Sequence, residues 1–191
     1  MTTQKFNLLA LSLACLAAGA TGCGTSEAAT KPRPETSATS PLAKELLAAH
    51  NEVRASAKPK PKAPLPALTW SPEAAKVARA WANNCEFEHN RNRGKFGENL
   101  AAAAPPGSKT NREAVLDWAS EVADYTYSTN KCAPGKVCGH YTQLVWRDTT
   151  QVGCATAICT KNSPFGAQFP KWELLVCNYA PPGNFVGQKP Y

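Results

Sequence analysis

The chain carries only three histidines, His50, His89 and His140. His89 and His140 follow cysteines, in loop-like or segment-starting positions, and lie close to Glu98 and Glu121. Two imidazoles with a carboxylate form a zinc-type ligand set, with an open position for water. No HExxH or comparable local spacing ties such residues together, so spacing alone does not establish a metal site. His50 falls on the apolar face of a first helix beside Asn51 and Arg54, which suits a hydrogen-bonded core histidine better than a ligand. Glu121 stands three residues after Trp118 and four before Tyr125. A carboxylate flanked by two aromatics is partly shielded from water, where its metal affinity can be tuned.

Cysteine is the second reactive type. Cys15 and Cys23 belong to an N-terminal export segment, which leaves Cys85, Cys132, Cys138, Cys154, Cys159 and Cys177. An even number in an exported chain, with no CxxC pair, points to disulfides rather than zinc thiolates. Gln151 to Cys159 reads as a strand, and on one strand Cys154 and Cys159 face opposite sides and cannot join. Cys132 and Cys138 bracket a Pro134-Gly135 turn, so a local bridge is plausible there. Trp172 to Tyr179 is a second strand, able to lie antiparallel to the first. The most economical set is Cys132–Cys138, Cys154–Cys177 and Cys85–Cys159.

The elements that must position these residues are marked by their caps. Ser40-Pro41 opens a helix with Ala43, Leu46, Leu47 and His50 in helical spacing, running to about Ala55. It ends at Lys58-Pro59-Lys60-Pro61-Lys62, an extended connector read as a solvated loop rather than a nucleic-acid or anionic-lipid contact. Ser71-Pro72 repeats the start signal, and Ala74, Val77, Ala78 and Trp81 predict the apolar stripe of a second helix. Gly97-Glu98-Asn99-Leu100 begins a short apolar segment closed by Pro105-Pro106. Thr110-Asn111-Arg112-Glu113 is a capping box for a third helix with Val115, Trp118, Ala119 and Val122 on its face and Glu121 at the edge of that face. Tyr141 to Trp146 reads as a strand on its β-branched and aromatic content. Helices and strands without regular alternation imply α+β with an antiparallel sheet.

The 191 residues suit one domain with appendages, and at 43% hydrophobic and 18% charged the chain can bury a core. After the first twenty residues no apolar stretch approaches membrane-spanning length, which rules out a polytopic membrane protein, and no Gly-rich phosphate loop appears, so nucleotide chemistry has no sequence support. Residues 1–22 read as a signal peptide, with Lys5 before an apolar run. Ala18-Gly19-Ala20 would release a soluble protein at Thr21, whereas Ala20-Thr21-Gly22-Cys23 resembles a bacterial lipobox that lipidates Cys23. The polar stretch through residue 40 suits a tether, which favours the lipoprotein, with the folded domain at 41–191. Net charge +7 favours anionic surfaces without naming a partner.

Four motifs carry a family resemblance. Gly139-His140-Tyr141-Thr142-Gln143-Leu144-Val145-Trp146 resembles the first signature of the CAP superfamily, and Leu174 to Phe185 the second. His50-Asn51-Glu52-Val53-Arg54 and Gly97-Glu98-Asn99-Leu100 resemble two shorter ones. The six cysteines and the tail Gly183 to Tyr191 are most similar to the plant pathogenesis-related class 1 branch, and the lipobox suggests a bacterial member. The resemblance implies a three-layer α-β-α sandwich with a small antiparallel sheet, the same three bridges, and a helical turn in place of the strand at Tyr141–Trp146. It also implies a cavity lined by His89, Glu98, Glu121 and His140 that binds zinc or another divalent ion weakly in some members. The alternative for the tetrad is a buried polar network.

These readings lead to an exported, non-catalytic and monomeric protein that binds lipid or sterol-like ligands, meets membrane only through its anchor and takes no nucleic acid. Phe165, Phe169 and Trp172 form an aromatic connector that could grip such a ligand, unless Trp172 starts a strand and packs inside. The rival is a hydrolase with zinc-bound water and Glu98 or Glu121 as base, although no oxyanion hole is evident. By resemblance, Pro181 to Tyr191 could also be released as a signalling peptide.

Overall fold

The computed structural model describes residues 36–191. The signal segment and Cys23 lie outside the described residues. In chain order the elements are α1 (Pro41–Ala55), β1 (Thr69–Trp70), α2 (Pro72–Ala82), β2 (Gly97–Ala103), α3 (Asn111–Ser120), β3 (Tyr125–Thr126), β4 (Lys131–Cys132), α4 (Gly139–Leu144), β5 (Gln151–Cys159) and β6 (Trp172–Ala180).

The helix starts follow from local chemistry. Ser40 Oγ accepts from Ala43 N and Ser71 Oγ from Ala74 N, both at 3.1 Å, with proline opening each helix. Thr110 and Glu113 close a reciprocal capping box on α3. Strands β5, β6 and β2 pair antiparallel in the order β1-β5-β6-β2, with the two-residue β1 parallel to β5 at one edge and β2 forming the other. The sheet is thus antiparallel except at β1. A separate ribbon joins β3 and β4.

Alternation along the strands separates two cores. Leu46, Val115, Trp118 and Leu144 from α1, α3 and α4 pack with Val152, Leu175 and Tyr179 on one face. Ala78 and Ala82 of α2 pack with Leu100, Trp172, Leu174 and Val176 on the other. This is the three-layer arrangement. The buried face of α2 is Ala74, Ala75, Ala78 and Ala82, whereas Val77 and Trp81 are only half-buried, a rotation of the expected stripe. Close approach causes it: a Cβ on Gly153 would stand 2.3 Å from both Ala75 N and Ser71 O, so only small residues fit between α2 and the sheet.

Three disulfides brace the fold. Cys154 and Cys177 are directly opposed across β5 and β6, Cys85–Cys159 ties the end of α2 to the end of β5, and Cys132–Cys138 closes the link from β4 to α4. All three are the expected pairs. Gly139–Leu144 is helical rather than extended, as the family resemblance implied and composition did not. Among the described residues no helix is long and apolar enough to cross a membrane.

Candidate functional site

His89 lies in the coil between α2 and β2, and Glu98 is the second residue of β2. Glu98 Oε1 accepts from His89 Nδ1 and from the Asn90 backbone N–H, both at 2.9 Å. The Glu98 side chain is 0% exposed and that of His89 58%, so a shielded carboxylate holds an accessible ring.

The second pair is built at the junction of α3 and α4. Glu121 ends α3 and begins a short 3-10 turn, Glu121–Asp124. Its Oε1 accepts from His140 Nδ1 at 2.6 Å, and its Oε2 accepts from the His140 and Tyr141 backbone N–H groups at 3.0 Å. The carboxylate thereby satisfies amides in the first turn of α4, which would otherwise have no partner. Trp118 stacks on the His140 ring at 5.9 Å and 14°, while its indole N–H donates to Leu100 O on β2.

Both imidazoles therefore donate Nδ1–H to a carboxylate, which leaves the lone pair of the neutral ring on Nε2. This is the support that orients metal-ligating histidines. The donor chemistry fits a divalent ion held by two imidazoles with water completing the shell.

The pairs flank edge strand β2. Glu98 is opposed to Asn178, whose amide reaches Ala74 O of α2, whereas Asn99 Nδ2 reaches His140 O and Tyr179 Oη on the side of α1 and α3. Among the described residues no three of His89, Glu98, Glu121 and His140 offer ligand atoms within 4.8 Å of one another. The group that does so is His50, Cys154 and Cys177. That set could hold a metal ion with its thiols free, but its two sulfurs are joined to each other. Glu98 Oε2 and Asn178 Oδ1 are buried without a protein donor.

His50 is a core residue, as its sequence position implied. Its ring bridges Leu46 O at 2.7 Å and Tyr179 Oη at 2.8 Å, and burial pushes its pKa down to about 4. Arg54, also buried, donates to the carbonyls of Pro66, Leu144, Trp146 and Thr149 and fastens the α4–β5 connection to α1.

On the β5–β6 connector, Phe165 and Phe169 are 36% and 41% exposed and meet edge to face at 6.5 Å. Trp172 does not join them. It opens β6 opposite Cys159, is fully buried beneath α2, and donates its indole N–H to Lys161 O. Sequence reasoning placed Trp118 on the core face of α3, but nothing in the spacing showed that its ring supports His140.

The family model for cysteine-rich secretory proteins (CAP) matches residues 47–179. Peptidase inhibitor 16 of Mus musculus is 39% identical over 158 residues, which span 83% of this chain and 31% of that one. The chain spans less than a third of the mammalian relatives' length. A pathogenesis-related protein of the PR-1 type from Sambucus nigra is 42% identical over 147 residues, spanning 75% of this chain and 78% of the relative. Among solved structures, Schistosoma mansoni venom allergen-like protein 4 superposes with a TM-score of 0.63 at 28% identity, covering 80% of this chain and 94% of that one. NaASP2, crystallised with Zn2+, superposes with a TM-score of 0.60 at 26% identity, covering 78% and 83%. With its four motifs, three bridges and layered fold accounted for, the chain belongs to the cysteine-rich secretory protein (CAP) family.

Proposed function

We propose that the chain is an exported, non-catalytic binding protein, held at the cell envelope through a lipidated Cys23 and its tether. It takes lipid or sterol-like ligands as a monomer and binds a divalent metal such as zinc weakly through His89 and His140. The observation that carries ligand capture is the Phe165–Phe169 pair: two phenyl rings in contact with each other, left outside the core on a turn-rich connector. Ile158, near the end of β5, is also exposed. Such rings lose unfavourable water contact when an apolar ligand covers them. The three disulfides suit an oxidising compartment, and NaASP2 supports the choice of metal.

The carboxylates argue against hydrolysis. Glu121 accepts three hydrogen bonds, and Glu98 Oε1 accepts two, so both orient imidazoles instead of standing free as a base. Only Glu98 Oε2 lacks a protein donor, and it is buried.

Flotation with sterol-containing phosphatidylcholine vesicles tests the reading. Phe165→Ser/Phe169→Ser is expected to lower capture roughly tenfold, on the scale of two partly buried aromatic side chains. Capture equal to that of the parent protein removes the connector from ligand binding. Zinc-dependent ester or peptide turnover that disappears in Glu98→Gln would replace the binding assignment with catalysis.

A further inference from the structure

We propose that the Lys-Pro connector after α1 and the Tyr127–Tyr191 stack form a second binding site, which takes an acidic polysaccharide. Sequence alone made this connector a solvated loop. In the folded chain its backbone is pinned. Tyr141 Oη accepts from Lys58 N and donates to Lys58 O, Tyr191 Oη donates to Pro59 O, and Arg147 donates to Ala63 O and Pro64 O. Every anchor uses connector backbone, and Lys60 and Lys62 are exposed residues.

Beside this ridge lies a hollow of about 670 Å³, lined by Pro59 to Ala63 with Tyr127, Arg147 and Tyr191. The two phenol rings stack at 4.8 Å and 21°, the Tyr127 hydroxyl donates to Tyr191 O, and Lys189 Nζ lies 4.9 Å from the Tyr127 centroid. Lys60, Lys62, Arg147 and Lys189 thus surround an aromatic wall. Among the described residues none of the four forms an ion pair, and Asp148, next to Arg147, pairs with none of them.

A concave site with unneutralised cations focuses positive potential, which draws and orients anions. Its shape and lining favour sugar over a flat headgroup surface. Phenol rings present an apolar face to the C–H face of a sugar and a polar edge to its hydroxyls, while lysine and arginine meet its carboxylates through charge-assisted hydrogen bonds. The site uses neither the His–Glu pairs nor the phenyl connector, so it stands or falls apart from ligand capture there.

Retention on immobilised polygalacturonate tests it, with neutral dextran as the blank. The parent chain is expected to bind at low salt and elute as salt rises. Lys60→Ser/Lys62→Ser is expected to weaken binding at least fivefold, whereas Lys76→Ser/Lys171→Ser, with the same loss of net charge, leaves it within twofold. Tyr127→Leu, which keeps every charge, is expected to weaken it at least threefold. No retention of the parent, equal losses in the two lysine doubles, or full binding by Tyr127→Leu overturns the site. Vesicles of phosphatidylcholine with phosphatidylglycerol give the remaining arm. Capture on them that exceeds polygalacturonate binding and needs Lys60 and Lys62 assigns the surface to membrane and overturns the polysaccharide.

Discussion

Among single residues, His50 and Arg54 show how two adjacent polar groups of one helix become structural when every hydrogen-bonding atom is used. Arg54 remains charged at neutral pH, with burial lowering its pKa only to about 10, and four main-chain carbonyls replace its water. His50 is neutral, since its Nδ1–H donates to Leu46 O and its Nε2 accepts from Tyr179 Oη. Burial lowers its pKa from 6.5 to about 4, and the nearby Arg54 charge acts in the same direction. The unfolded chain therefore binds a proton that the folded chain refuses between those values, so stability rises with pH across this window and is lost as pH falls through it. Between pH 7 and pH 5 the expected loss from this residue is about 2 kcal/mol. Urea midpoints of the parent and His50→Gln, measured at both values, check this: the variant is expected to lose most of that difference. An identical pH slope in the two proteins would show that the imidazole is not the titrating group.

Elements were legible in the sequence where local chemistry decides and illegible where packing does. Ser40-Pro41, Ser71-Pro72 and the Thr110–Glu113 box announce three helix starts, because a cap is a contact between residues three apart. The two-residue strands β1, β3 and β4 carry no such signal, since pairing alone defines them. The composition of α4 suggests a strand. Its helical state is supported from outside by Glu121, which is remote in sequence. The expected stripe placed Ala74 and Ala78 correctly on the inner face of α2 but set Val77 and Trp81 too deep, because side-chain size there counts against burial. Gly153 sets that limit, and it gives a prediction. Gly153→Ala forces a Cβ into the α2 backbone and is expected to cost about 2–3 kcal/mol, in the range of overpacked sites. Gly139→Ala, where the nearest atom is 3.8 Å from the added carbon, is expected to stay within about 0.5 kcal/mol. Denaturant midpoints of the two variants check the contrast, and equal effects would mean that α2 is free to move off the sheet.

Over the whole molecule, the two His–Glu pairs come to β2 from different layers. His89 and Glu98 belong to the coil after α2 and to the sheet, while Glu121 and His140 belong to the α3–α4 layer. The family motifs alone named these four residues as one set, because no local spacing connects residues 89 and 140, and the structure pairs them two by two. One divalent ion bound by both rings would add a link between two layers already joined by side-chain packing and by the hydrogen bonds of Asn99, Trp118 and His50. Binding only the folded chain, it would stabilise by about 2.7 kcal/mol at a concentration one hundred times its dissociation constant. At roughly 2–4 °C per kcal/mol for a chain of this size, zinc is expected to raise the Tm by several degrees, and chelator to reverse the rise. Two separate half-sites and one shared site then differ in their mutants. With a shared ion, His89→Ala and His140→Ala each abolish the shift, and the double variant loses nothing more. With independent sites each single variant retains part of the shift and only the double removes it. Differential scanning calorimetry of the four proteins across a zinc titration separates the cases, and a rise that survives in the double variant would place the metal away from both imidazoles.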